Sequence, residues 1–181
     1  MIEVTIPETH MFDDETQEFI DIKQQTIKLE HSLVSLSKWE AKHCKPFLKD
    51  DDKKTSEEII DYIRCMTITG GVPPEAYYAL SSKSLNEIKD YIYSKQTGTT
   101  INRRNQRKNS NKTVTSELIY SWMITLGIPF ECQKWHLNRL LTLIEVCSIE
   151  SQPKKKMKMS DIYQQNAALN AARCKKLGTR G

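Results

Sequence analysis

The sequence predicts an α+β fold, mainly α, in which a short N-terminal antiparallel β-sheet precedes a helical body and a basic C-terminal helix. Three observations predict it. Up to residue 31 apolar and polar residues alternate, the two-residue period of half-buried strands. From Ser32 the apolar spacing lengthens to three and four residues, as on one face of a helix. Beyond residue 150 apolar residues thin out and lysines crowd together. The chain thus divides into a β-rich segment over 1–31, a helical body over 32–150 with a mobile basic loop over 94–115, and a basic tail or helix over 151–181.

The strands come first. Ile2, Val4 and Ile6 alternate with Glu3 and Thr5, and Ile27 and Leu29 alternate with Thr26, Lys28 and Glu30. Phe12 and Phe19-Ile20 flank the turn-prone stretch Asp13-Asp14-Glu15-Thr16. Two or three strands follow from this pattern, and so small a sheet must pack on helices or a partner. Leu33, Leu36 and Trp39 then set a first helix that ends near Lys45-Pro46. Asp50-Asp51-Asp52-Lys53-Lys54 reads as an exposed loop. Thr55 and Glu58 form a capping box for a second helix with Ile59, Tyr62, Ile63 and Met66 on its apolar face. After Gly70-Gly71, Pro73-Pro74 opens a short third helix with Tyr77, Tyr78 and Leu80. Ser84 and Glu87 open a fourth, which carries Leu85, Ile88, Tyr91 and Ile92.

Residues 94–115 show no apolar periodicity, with Ile101 isolated among polar residues, and read as a mobile loop. Thr115 and Ser116 cap a fifth helix with Ile119, Trp122, Met123 and Leu126 on its face, and Gly127 closes it. Pro129 starts a sixth, continuous with Leu137, Leu140, Leu141, Ile144 and Cys147. The link between these two is short, so they are expected to pack as an antiparallel hairpin with Trp122 and Trp135 in one core region. A last helix is expected from Ser160 to about Leu177, with Gly178 beyond it. Its thin apolar set of Ile162, Leu169 and alanines suggests a segment that frays when free and orders on binding.

The 181 residues are 38% hydrophobic and 28% charged, enough for one domain with its own core and an appended tail. No apolar run approaches the roughly 20 residues of a membrane span. The start MIEVTIPETH has neither the basic nor the long apolar part of a secretory signal, so a cytoplasmic location is the expectation. Five scattered cysteines, with no C-x-x-C pair, fit reduced thiols. The net charge of +4 conceals a partition. Residues 1–93 hold 11 Lys/Arg against 18 Asp/Glu, residues 94–115 hold 6 against none, residues 116–150 hold 2 against 4, and residues 151–181 hold 8 against 1. An acidic body with two basic segments suits an acidic partner, protein or nucleic acid, and equally suits two solvated segments.

Residue chemistry points away from catalysis. Cys132 and His136 stand at i,i+4, but two ligands are too few for a metal, and no third group orients them as nucleophile and base. Glu57, Glu58 and Asp61 complement a helix dipole. No phosphate-binding G-x-x-x-x-G-K-[ST] motif is present. The expectation is no enzyme, no metal and no cofactor. In the basic loop Arg103, Arg104, Arg107 and Lys108 are candidate phosphate contacts, but they lack interleaved aromatics for base stacking.

Taken in order, the blocks MIEVTIPET, LEHSLVSLSKWEAK, KPFL, EEIIDYIRCMTIT, TSELIYSWMI, IPFECQKWHLNRLLTLIEVC and the basic tail with NAALNAAR carry a family likeness over nearly the whole chain. The chain resembles a small tail-morphogenesis protein of tailed bacteriophages with long non-contractile tails, and is similar to their tail assembly chaperones. The resemblance implies a non-enzymatic protein of the host cytoplasm that binds the phage tape-measure protein, keeps it soluble and helps bring tail-tube protein to it. Self-association is compatible with that role. The partner-binding candidates are Trp39, Trp135, Lys154, Lys155, Lys156, Ile162, Leu169 and Arg173. Two other readings stay open: a structural tail or connector component of the virion, and a nucleic-acid-binding phage protein. Removing residues 151–181 is expected to leave the body folded and weaken partner binding. Trp135→Ala is expected to cost about 3–5 kcal/mol, as core truncations do.

Overall fold

The computed structural model describes residues 1–13, 18–49, 54–101, 113–151 and 159–178. The chain is α+β and mainly α, and it divides into two compact units, Met1–Ile149 and Glu150–Gly181.

Four strands open the first unit: β1 (Ile2–Ile6), β2 (Thr9–Asp13), β3 (Glu18–Ile22) and β4 (Gln25–Leu29). They form two antiparallel ribbons rather than one sheet of two or three strands. β1 pairs with β4, from Ile2↔Leu29 to Ile6↔Gln25, and β2 pairs with β3, from Thr9↔Ile22 to Asp13↔Glu18. The interruption has a local cause, because Pro7 carries no N–H to continue the ladder. One face of the β1–β4 ribbon buries Val4, Ile6, Ile27 and Leu29. On its other face the Thr5 and Thr26 hydroxyls hydrogen-bond at 3.3 Å. The free edge of β4 is covered by the chain after the second helix: Glu30 N–H donates to the Met66 carbonyl and Ile68 N–H to the Lys28 carbonyl, both at 2.8 Å.

Helix α1 (Leu33–His43) starts at a reciprocal cap between Ser32 and Ser35. Helix α2 (Ser56–Met66) starts at the expected Thr55–Glu58 capping box, in which Thr55 N–H donates to the Glu58 carboxylate at 2.9 Å and Glu58 N–H to the Thr55 hydroxyl at 3.2 Å. Its apolar face differs in one residue, since Ile59 is 48% exposed. The short third helix is 3₁₀ over Pro74–Ala79, with Leu80 beyond its end and Tyr78 exposed. Helix α3 (Ser82–Tyr93) begins earlier than Ser84, because the Ser81 hydroxyl accepts from Ser84 N–H at 3.1 Å and takes the cap.

Helix α4 (Ser116–Thr125) is capped by Thr115, and Gly127 follows at φ +66°, a left-handed position that glycine takes without strain. The sixth predicted helix is in fact two elements. Phe130–Lys134 is a 3₁₀ turn, and α5 (Leu137–Ser151) starts only after the extended Trp135. The break follows from pairing: His136 bridges Ser32 in antiparallel fashion, and Leu137 N–H donates to the His31 carbonyl at 2.8 Å. A continuous helix would forfeit those bonds. The predicted hairpin is also revised, because α4 lays its backbone against α1 and meets α5 through side chains.

Two apolar cores result. One lies beneath the strands and joins Ile6, Ile27, Trp39, Tyr62, Ile63 and Ile88. The other joins Leu33, Leu36, Ile119, Met123, Leu137 and Leu140. Helix α1 feeds both, and Phe47 packs against both. Glu40 ties them by its buried carboxylate, which accepts from Phe47 N–H at 2.9 Å and from Ser116 N–H at 2.7 Å. In the second unit α6 (Met159–Leu177) is one helix whose described side chains are exposed apart from a half-buried Cys174. Among the described residues no helix is long and apolar enough to cross a membrane.

Candidate functional site

A concavity of the first unit lies between α2 and α3. Helix α2 supplies Ile59, Tyr62 and Ile63, and α3 supplies Leu85, Ile88, Lys89 and Ile92. Its volume is about 600 Å³, within the range of binding clefts. Both helices carry more apolar residues than one core contact requires. Ile63 and Ile88 are buried, while Ile59 stands at the mouth. Phe47 and Leu48 close one end, beside Lys49 and Lys54. The Lys54 ammonium sits 4.7 Å from the Phe47 ring centre, a cation–π contact. Among the described residues that line the cleft three are lysines and none is acidic.

The floor is polar and buried. His31 Nδ1 and the Tyr62 hydroxyl are hydrogen-bonded at 2.6 Å, and the His31 and His136 rings meet edge to face at 5.0 Å. His136 Nε2 donates to the Tyr91 carbonyl at 3.0 Å, while its Nδ1 accepts from Asn138 N–H at 3.3 Å, which fixes the tautomer. The Asn138 amide donates to the Ile92 and Ser94 carbonyls at 2.9 and 2.8 Å and so pins the end of α3 to the start of α5. Burial, and then the neighbouring His136, push the His31 pKa down to about 3. Burial lowers that of His136 and raises that of Tyr62. His31 and Tyr62 bond to each other and His136 bonds to the backbone around it, the chemistry of a structural junction.

The predicted site residues fall in separate places. Trp39 is 1% exposed and donates its indole N–H to the Glu58 carbonyl at 2.9 Å, so it is a core residue and offers no contact surface. Trp135 is half-buried at the border of the second core, as is Trp122. The Arg139 guanidinium lies 4.1 Å from the Trp135 ring centre, and both line a cavity of about 400 Å³ with Gln96–Thr99. Leu169 and Arg173 are exposed on α6, which also contains Ile162. Lys154, Lys155 and Lys156 lie outside the described residues, as do Arg103, Arg104, Arg107 and Lys108 of the predicted loop and Asp50–Asp52 of the acidic one. Cys132 packs in the second core, and both ring nitrogens of His136 are engaged, so neither waits for a metal. Among the described residues no three His, Cys, Asp or Glu side chains converge.

Compared with known protein families, curated proteins and solved structures, the chain matches none.

The cleft was missed in the sequence because its walls come from two helices that are separated along the chain. One signal was present: Lys89 interrupts the apolar stripe of Leu85, Ile88 and Ile92, which marks a stripe that ends at a wet rim. The junction of His31 and His136 had no such signal, since the two are brought together by the Ser32–His136 bridge and the Leu137–His31 hydrogen bond, between segments far apart in the chain.

Proposed function

We propose that this chain is a non-enzymatic tail assembly protein of a tailed bacteriophage, a chaperone that binds the tape-measure protein in the host cytoplasm and assists tail-tube assembly. The resemblance of its sequence blocks supports the reading. The observation that carries it is the surface of α6. Met159 is 65%, Tyr163 67%, Leu169 49% and Leu177 72% exposed, on a helix that also presents Arg173, Lys175 and Lys176. A helix with large apolar side chains in water gains by docking on a partner, and its cations favour an acidic one.

The test is co-expression of the full chain with the tape-measure protein of its own phage, followed by affinity capture at moderate and high salt. Soluble co-purification that survives high salt is the expected outcome. Capture of nucleic acid at low salt, with the tape measure left insoluble, would replace this reading with a nucleic-acid-binding one. Persistence of the chain in purified particles would replace it with a structural virion component.

A further inference from the structure

We infer that the cleft between α2 and α3 is a docking groove for an amphipathic helix whose apolar stripe is flanked by acidic residues. The nature of the occupant, a protein helix, rests on the proposed role as a chaperone. The chemistry of the groove rests on its own residues.

The walls are apolar, with Ile59, Ile63, Leu85, Ile88 and Ile92 along them, above the buried His31–Tyr62 pair of the floor. From Leu85 to Ile92 the wall runs about 10 Å at 1.5 Å per residue. That length matches a partner helix anchored at i, i+3 or i+4, and i+7. The rim chooses the charge. Lys49 and Lys54, at the two ends of one short segment, and Lys89, from α3, line the cleft and form no ion pair among the described residues. They cluster on a body whose residues 1–93 carry 18 acidic against 11 basic side chains. A helix with glutamates beside its apolar stripe satisfies both walls and rim, whereas a basic helix would set like charges against the lysines.

Lys89 is the decisive variant, because it comes from α3 and is remote in sequence from Asp50–Asp52. Two labelled helical peptides share one leucine stripe, flanked by glutamates in the first and by lysines in the second. The full-length chain is expected to bind the first about tenfold tighter at low salt, as a few exposed charge pairs allow. Lys89→Glu is expected to remove that preference. Ile59→Ser, a change at an exposed wall position, is expected to weaken the acidic peptide severalfold with an unchanged melting temperature. Methyl NMR shifts are expected at Ile63, Leu85, Ile88 and Ile92. An undiminished preference in Lys89→Glu, or shifts confined to another surface, would overturn the inference. So would saturation of these methyls by laurate with no response to either peptide, since the cleft would then hold a small amphipathic anion.

The two proposals fail separately. Equal capture of the tape-measure protein by the wild type and by Lys89→Glu would remove the groove and leave the chaperone. Peptide binding in the groove without capture of the tape measure would do the reverse.

Discussion

At the scale of the residue, burial decides what a side chain is for. His31 shows this through pH. It titrates near 6.5 when unfolded and near 3 when folded, because burial and then His136 penalise its charged form. The unfolded chain therefore takes up the proton first. This contribution is whole above pH 6.5 and is lost as the pH falls toward 3, with about 2 kcal/mol gone by pH 5. Denaturant titrations at pH 7 and 5 should show the loss in the wild type and a smaller one in His31→Gln, which does not titrate there. Identical slopes in both would remove His31 as the cause. The tryptophans divide on the same ground. Trp39 is sealed, so Trp39→Ala should cost about 3–5 kcal/mol. Trp135 is half-buried beneath Arg139, so Trp135→Ala should cost less than about 2 kcal/mol, below the core value that the sequence suggests. Equal midpoint shifts in chemical denaturation would contradict this ranking.

At the scale of the element, the strongest single tie is the Glu40 carboxylate. It receives one N–H from the segment after α1 and another from the first turn of α4. Glu40→Ala leaves both donors without that acceptor, at a cost of about 2–4 kcal/mol. Hydrogen exchange should speed up at Phe47 and Ser116 before it does at the strands, and uniform loss of protection would assign Glu40 no local role. The sequence showed α2 nearly whole, since both its cap residues and its stripe are local signals. It also set Phe12 and Phe19 on either side of a turn-prone stretch, and the two pair across the β2–β3 ladder. It did not show the break before α5. Nothing local to Trp135 and His136 opposes a helix there; the cause is Ser32, far back in the chain. It likewise missed Ser81 as the cap of α3, because Ser81, Ser82 and Ser84 all qualify and packing alone selects among them. The candidate site was the least legible part. Trp39 stands out in the sequence by its size alone, whereas a cleft is a property of two helices that the sequence does not place side by side.

At the scale of the molecule, the chain joins an acidic strand-and-helix unit to a basic helix. The first unit, Met1–Ile149, holds both cores by itself. A chain truncated after residue 150 should keep its cooperative thermal transition while losing most of its tape-measure capture. Capture at full strength would move the binding surface wholly into the first unit.

The two ribbons keep a single register. Ile6↔Gln25 is followed by Thr9↔Ile22, so two residues on one side answer two on the other, and the ladders share one frame. Deleting Met11-Phe12 together with Phe19-Ile20 would shorten the ribbons without moving any surviving residue to the opposite face. Deleting Met11 alone would invert everything beyond it. The length of the ribbons can therefore change only in matched steps, much as a ladder shortens by whole rungs.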